Sequence, residues 1–386
     1  MTLFLLAFFF LYGLLHAYAF LKLRAAFPLG VATSLGIAAF MFAMVTAPGI
    51  VRLAEKTGFE LIARMLSWVG YSWMGILFLF VVCSILVGLY RLCIVGVELF
   101  VRRDLTPLLV SSRRAFLLAG VASLAIALYG AFEAMNVRLE KITVRTPKIT
   151  LETGPVRIAQ ISDVHLGLIV REDRLRRILD EVAKAEPDVL VSTGDLVDGQ
   201  IDNLSLLAEM LRAIDPPYGK YAITGNHEFY AGIEQATRFA EQAGFRLLRG
   251  EWVDVGGVLA IAGIDDVQAR AFGLYRGKPE EELLAEVPRE RFIVLLKHRP
   301  IVEGRSHGRF DLQLSGHTHK GQIFPFSIIT GLYFVRQAGF VPLPNGSALY
   351  VSRGSGTWGP PIRFLSPPEV TLIELVPEDV REERPS

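Results

Sequence analysis

Four long apolar runs fill the first 135 residues, and no other feature limits the fold of this chain as tightly. Residues 3–21, 29–51, 65–90 and 115–134 each approach the roughly 20 apolar residues that a helix needs to cross a hydrocarbon core. Backbone in lipid must satisfy its own N–H and C=O groups, so all four are expected as transmembrane helices. The run 65–90 holds no charged residue and carries Trp68, Tyr71, Trp73 and Tyr90, which suit the membrane interface. Hydrophobic residues make up 52% of the 386, yet charge concentrates after about Val137, so a membrane region precedes a domain that lives in water.

Cytoplasmic loops carry an excess of Lys and Arg, and this sets an orientation. Lys22 and Arg24 follow the first run; Arg52, Glu55, Lys56, Glu60 and Arg64 follow the second; Arg91, Arg102, Arg103, Arg113 and Arg114 follow the third. With the first and third loops inside, everything after Ala134 is expected on the outer, periplasmic or extracellular, face of the cell membrane. Ser112-Arg113-Arg114-Ala115-Phe116-Leu117 reads either as a twin-arginine export signal or as an ordinary basic flank, and both send the rest outward. Residues 136–153, polar and containing Pro147, read as a linker ahead of Gly154-Pro155. The region 1–135 is thus an expected four-helix transmembrane region, 154–376 a folded domain, and the charged end 377–386 a disordered tail.

The charges nearly cancel, with Lys+Arg 40 against Asp+Glu 39, so no field favours nucleic acid and none is expected as a partner. Both cysteines, Cys83 and Cys93, lie in or beside an apolar run. Any metal in the domain must therefore be held by nitrogen and oxygen.

Within the domain the apolar run 156–161, rich in β-branched residues, stops at Ser162-Asp163-Val164-His165. The same pattern recurs where 189–193 ends at Gly194-Asp195 and 221–224 ends at Gly225-Asn226-His227-Glu228. Further on, 292–296 ends at Lys297-His298 and 312–314 ends at Ser315-Gly316-His317-Thr318-His319. Residues 171–184 and 204–211 repeat apolar positions at helical spacing between the early strands. This is α/β grammar, and in open α/β sheets ligands collect beyond the carboxyl ends of strands. Five of the seven histidines stand at such ends, whereas His16 lies in the first apolar run and His307 in a polar loop.

Five imidazoles with Asp163, Asp195 and Asn226 make a mixed nitrogen and oxygen donor set, which suits Mn, Fe or Zn better than Mg or Ca. Two divalent ions about 3.5 to 4 Å apart polarise a phosphoryl group and generate hydroxide, and they need a shared anionic ligand. Asp195, behind the flexible Gly194, is the best candidate for that bridge.

Taken together, Asp163-x-His165, Gly194-Asp195-x-x-Asp198, Gly225-Asn226-His227-Glu228, His298 and Gly316-His317-x-His319 resemble the calcineurin-like metallophosphoesterases over about residues 156–375. Bacterial membrane-associated members bearing a twin-arginine signal are the nearest in character. The resemblance implies a four-layer α/β/β/α sandwich, with late strands at 350–352 and 370–375. It implies Asp163, His165 and His319 on one ion, Asn226, His298 and His317 on the other, and Asp195 on both. His227 would act outside the metals, donating to the phosphate or leaving oxygen, with Glu228 orienting its imidazole. Asp198 is left out of the ligand set, and Gly321, Gln322 and the run Arg353-Gly354-Ser355-Gly356 are candidates either for the phosphate pocket or for turns.

The expected activity is hydrolysis of a phosphomonoester or phosphodiester by hydroxide activated between two metals, on a lipid-linked or envelope substrate. Membrane lipid is the expected partner. A cytoplasmic pyrophosphatase of the UDP-2,3-diacylglucosamine type is opposed by the outward topology. A non-catalytic membrane sensor would lack ligands, and none is missing.

Overall fold

The computed structural model describes residues 2–199 and 204–378. Two compact units divide the chain, one of Met1–Phe132 with Gly359–Phe364 and one of Glu133–Trp358 with Leu365–Ser386.

The first unit is helical. Its helices α1 (Thr2–Ala26), α2 (Val31–Lys56), α3 (Glu60–Val101) and α4 (Ser112–Met135) are long and apolar enough to cross a membrane. Each outruns the apolar stretch that announces it, most of all α3, whose 42 residues extend roughly 63 Å, about twice a hydrocarbon core. His16 is buried in α1, where Tyr12 O accepts its Nδ1–H and Trp73 donates its indole N–H to its Nε2. Trp73 thus turns its polar edge to another helix. Arg113 and Arg114 stand in the first turn of α4.

The second unit is built on two six-stranded mixed sheets. The first runs β1 (Arg138–Thr146), β12 (Glu369–Pro377), β2 (Val156–Ile161), β3 (Val189–Ser192), β4 (Lys220–Ala222) and β5 (Arg246–Leu247). From β2 to β5 its strands are parallel, as expected where helices supply the crossovers. The crossovers are α5 (Glu172–Ala185), α6 (Ser205–Arg212), and α7 (Asn226–Ala231) with α8 (Ile233–Gln242). The second sheet runs β10 (Gly339–Pro342), β11 (Ala348–Val351), β9 (Leu312–Ser315), β8 (Phe292–Leu296), β7 (Leu259–Gly263) and β6 (Glu251–Val255). Short helices α9 (Gln268–Ala271), α10 (Glu280–Ala285) and α11 (Phe326–Tyr333) punctuate its connections.

Side-chain alternation sorts the core. Ile158, Val189 and Val191 join Val294, Leu296, Leu312 and Leu314 in one cluster that draws on both sheets. Their sequence neighbours Ala159, Ile161 and Leu190 pack instead with Leu175 and Ile178 of α5 and Leu207 of α6. On the second sheet Ile293 and Leu295 pack with Leu283 and Leu284 of α10.

The stretch 136–153, read from sequence as a linker, carries β1 instead: nine residues in parallel register with β12, from Arg138 opposite Glu369 to Thr146 opposite Pro377. Its outer edge is exposed, so its polar composition is that of an edge strand. Of the expected tail, Pro377 closes β12 and residues 379–386 lie outside those described.

Arg353, considered above for a phosphate pocket, ties this edge together. Its guanidinium pairs with Glu140 of β1 and, at 2.6 Å, with Glu369 of β12, whose carboxylate is only 1% exposed. Tyr350 donates its hydroxyl to Glu369 as well, at 2.9 Å. Replacing Arg353 by Ala strands a buried charge and should cost about 3 kcal/mol or more. A urea melt of the full chain in detergent should show an earlier midpoint, and adding Glu369→Gln should restore part of it. An unchanged midpoint would mean that Arg353 holds nothing together.

Candidate metal centre

Five strand ends of the two sheets deliver the candidate ligands to one place. Asp163 and His165 follow β2, Asp195 follows β3, Asn226 and His227 open α7 after β4, His298 follows β8, and His317 and His319 follow β9. The chain turns sharply at most of these points. Asp163, His165, Asp195, His317 and His319 all have φ between 48° and 71°, a region costly for residues with a Cβ. Two glycines make room for the approach. A Cβ on Gly316 would lie 2.1 Å from Asp163 Oδ2, and one on Gly225 would lie 2.2 Å from Asp195 Oδ1.

The donor atoms gather in three overlapping groups, each within 4.8 Å: Asp163, His165 and His319; His165, Asp195 and His227; and Asp195, His298 and His317. Asp195 belongs to two of the three. Its Oδ2 lies 3.2 Å from His298 Nε2 and 3.9 Å from His165 Nε2, while its Oδ1 accepts the backbone N–H of His227 at 2.8 Å. Asp163 Oδ1 lies 3.4 Å from His319 Nε2, and both Asp163 oxygens accept from the backbone N–H of His317.

Ring nitrogens also face one another. His165 Nε2 and His319 Nε2 are 3.1 Å apart, and so are His317 Nδ1 and His298 Nε2. Two imidazole nitrogens at that separation need a proton or a cation between their lone pairs. Asn226 is buried, and its Oδ1 has no hydrogen-bond partner. An orphaned buried acceptor among converging imidazoles fits a bound cation, so the donor set passes the chemical test for a metal site.

Two of the imidazoles are already in the form that binds metal, whereas burial opposes charge on His298 but Asp195 and then Asp163 raise it to about 10, so a metal there would displace its Nε2 proton. Burial, then His227, pushes His165 down to about 4, and burial, then His298, pushes His317 down to about 2. Both rings are neutral at pH 7, the form that binds metal. Burial favours neutral Asp195, but His298 and then His227 outweigh it and hold the carboxyl well below the usual range. His298 Nδ1 must carry hydrogen, because its 2.8 Å partner is the Thr193 carbonyl, and this fixes Nε2 as the nitrogen aimed at Asp195.

The imidazole of His227 is oriented by Asp198, not by Glu228. Its Nδ1 donates to Asp198 Oδ1 at 2.8 Å. Glu228, expected in that role, instead accepts backbone N–H groups of Gly225 (2.6 Å), Leu196 (2.8 Å) and Asp195 (3.0 Å), binding two strand-end loops to each other. A carboxylate three residues after Gly225 satisfies the free N–H groups at the start of α7, which is the ordinary use of an acidic residue there. Burial opposes charge on His227, but Asp195 and then Asp198 raise it to about 9. The signal for Asp198 was its spacing behind Gly194-Asp195.

Two further residues were missed. Trp358, half exposed, and Tyr230 set their rings edge-on to His227, with centroids 5.8 and 5.4 Å away. Gln322 does not project freely into a pocket: its amide accepts the Trp358 N–H and donates to the Trp358 carbonyl, both at 2.9 Å. A Cβ on Gly356 would lie 1.9 Å from Val164 O, so that glycine serves close packing. His307 stands outside all three donor groups.

Known proteins share this pattern. A sequence model of the family described as "Calcineurin-like phosphoesterase" matches residues 156–321. A protein of Aquifex aeolicus, named an uncharacterized metallophosphoesterase, is 42% identical over 248 residues, which are 64% of this chain and 95% of that protein. A Danio rerio protein named "Transmembrane protein with metallophosphoesterase domain" is 32% identical over 68% of this chain, which spans 63% of that protein's length. Among solved structures, the NAD nucleotidase of Haemophilus influenzae is 18% identical with a TM-score of 0.37, over 52% of this chain and 45% of its own. The strand-end motifs, their convergence and the near full-length match to the Aquifex protein carry one conclusion: the chain belongs to the calcineurin-like metallophosphoesterase family.

Proposed function

We propose that this chain is a membrane-anchored, metal-dependent phosphoesterase that hydrolyses phosphomonoesters or phosphodiesters of a lipid or envelope substrate at the outer membrane face. The observation that carries the reading is Asp195, one buried carboxylate shared by two donor groups. Asp163, His165 and His319 would hold one divalent ion, and Asn226, His298 and His317 the other, with Asp195 between them; Mn, Fe and Zn suit these donors. Bound there, such ions supply Lewis acidity toward a phosphoryl oxygen and lower the pKa of water. The chain's own part is orientation and proton supply. Thr193 O fixes the His298 tautomer, and Asp198 accepts the Nδ1–H of His227 and, after Asp195, helps keep that ring doubly protonated, so that its Nε2–H is free to donate to a leaving oxygen. Glu228 keeps the loops of Asp195 and Asn226 in register. The two-sheet core with helices packed against each sheet supports the four-layer sandwich implied by the family.

Asp195→Asn should leave the fold intact, lower bound metal below two ions per chain, and cut turnover of a generic phosphodiester about 100-fold or more. Unchanged turnover would sink the shared-ligand mechanism. His227→Ala should keep both ions while slowing turnover by roughly 10² to 10⁴, and Asp198→Asn should do the same more mildly, about 10-fold to 100-fold. Glu228→Ala should act on stability instead, by about 1 to 3 kcal/mol, because buried N–H groups lose their acceptor. Were Glu228→Ala to match His227→Ala in kinetics with unchanged stability, the roles would need exchanging.

Orientation decides which substrates are in reach. A reporter fused after Ser386 should be active only where its assay requires export, on the strength of the five arginines at 91–114. Cytoplasmic activity would favour a glycolipid-precursor pyrophosphatase.

A further inference from the structure

Directly after the His317 and His319 loop, residues 323–335 form 13 positions without a charge, Ile-Phe-Pro-Phe-Ser-Ile-Ile-Thr-Gly-Leu-Tyr-Phe-Val. A run of that length is too short to span a bilayer and would ordinarily be core. Here only its first residue, Ile323, is buried, and α11, lying inside it, has no buried residue. Ile328 is 62% exposed, Leu332 79%, Tyr333 82% and Val335 92%. Water-exposed apolar side chains at this density mark a surface that something covers.

Charge says what covers it. Lys320 and Arg336, both exposed, flank the run, and no Asp or Glu occurs anywhere from 312 to 368. A second copy applying the same face would set Lys320 and Arg336 against like charges, and the segment 312–368 supplies no acidic partner for them. Anionic lipid offers the complement, with acyl chains for the aliphatic residues and headgroup depth for Phe and Tyr. Only Asn136 and Val137 separate α4 from β1, so the domain that carries α11 is tethered by a short connection to an apolar helix long enough to cross a membrane. The element is also fastened to the candidate metal centre. Thr318, between two donor histidines, donates its hydroxyl to Gln337 O at 2.6 Å, and the Phe334 ring stands edge-on to His317 at 5.3 Å.

We propose that α11 and its apolar flanks dock into the interfacial layer of an anionic bilayer, a second membrane contact separate from the four long helices. It would hold the His317 and His319 loop at headgroup level, which suits a phosphoester carried by a lipid. The contact does not depend on the reaction assigned above.

The test uses the full chain in nanodiscs, with Cys83 and Cys93 replaced by Ser and a spin label on Leu332→Cys. A control label goes on Glu241→Cys, exposed at the end of α8. Oxygen, which partitions into lipid, should relax the 332 label more than a water-soluble nickel chelate does, and the control should show the reverse. Adding Arg336→Glu should shift the 332 label toward the aqueous pattern, changing the ratio of lipid-facing to water-facing populations about 5-fold or more. Leu332→Asp should leave turnover of a water-soluble diester unchanged. A 332 label as open to nickel as the control overturns the proposal. A label sheltered from both reagents, in chains that cross-link as pairs, assigns the surface to a second copy and overturns it equally. Neither outcome bears on hydrolysis, which is read separately.

Discussion

Asp195 is the charge around which the second unit is organised. A carboxylate 2% exposed is costly to keep ionised, and here it is kept so by imidazoles brought from other strand ends. One oxygen meets His298 and His165, and the other takes a backbone N–H from the first turn of α7. Each of these partners comes from a different segment, so no local stretch of chain could satisfy Asp195 alone. The carboxylate needs the assembled sheets, and the converging imidazoles need a charge at their centre. Fold and candidate site are therefore mutually dependent at this residue.

That dependence is visible in the backbone. Five of the candidate donors are held at positive φ, each at a cost on the order of 1 to 3 kcal/mol. Such strain persists only where the surroundings fix the chain on both sides. Before each turn lies a strand whose side chains are buried in the apolar clusters, as in β2, β3 and β9. After the turns, Glu228 clasps four backbone N–H groups and the Asp163 carboxylate clasps that of His317. Asp163 and Asp195 thus serve both the donor cluster and the backbone around it, whereas Glu228 is turned to the backbone that positions the cluster.

This division explains what was legible in sequence. The strand-end histidines and carboxylates were legible because the change from apolar run to polar group is local, and β2 and β8 begin and end where that pattern does. Glu228 and Asp198 could not be told apart that way. Both are acidic, both follow a ligand closely, and only the folded chain decides which one faces an imidazole. The strand β1 was lost for a different reason: an edge strand is half solvated, so its composition imitates a linker, and its pairing with β12 joins residues more than 200 positions apart. Apolar Leu139, Ile142 and Val144 set among polar neighbours were the trace it left.

The run 323–335 escaped notice for a reason of length. Sequence thresholds separate spans from core helices at about 20 residues, and a 13-residue apolar segment falls on the core side. Composition alone could not say otherwise, since a buried helix and an interfacial one share the same side chains. What separates them is exposure, and among the described residues none covers Ile328, Leu332, Tyr333 or Val335 enough to bury it. The flanking cations and the missing acidic residues from 312 to 368 are in the sequence, however, and a buried helix in a domain with balanced charge has no need of either. An apolar segment below span length, bracketed by cations and joined to a donor-bearing loop, is thus better read by its surrounding charge than by its hydrophobicity.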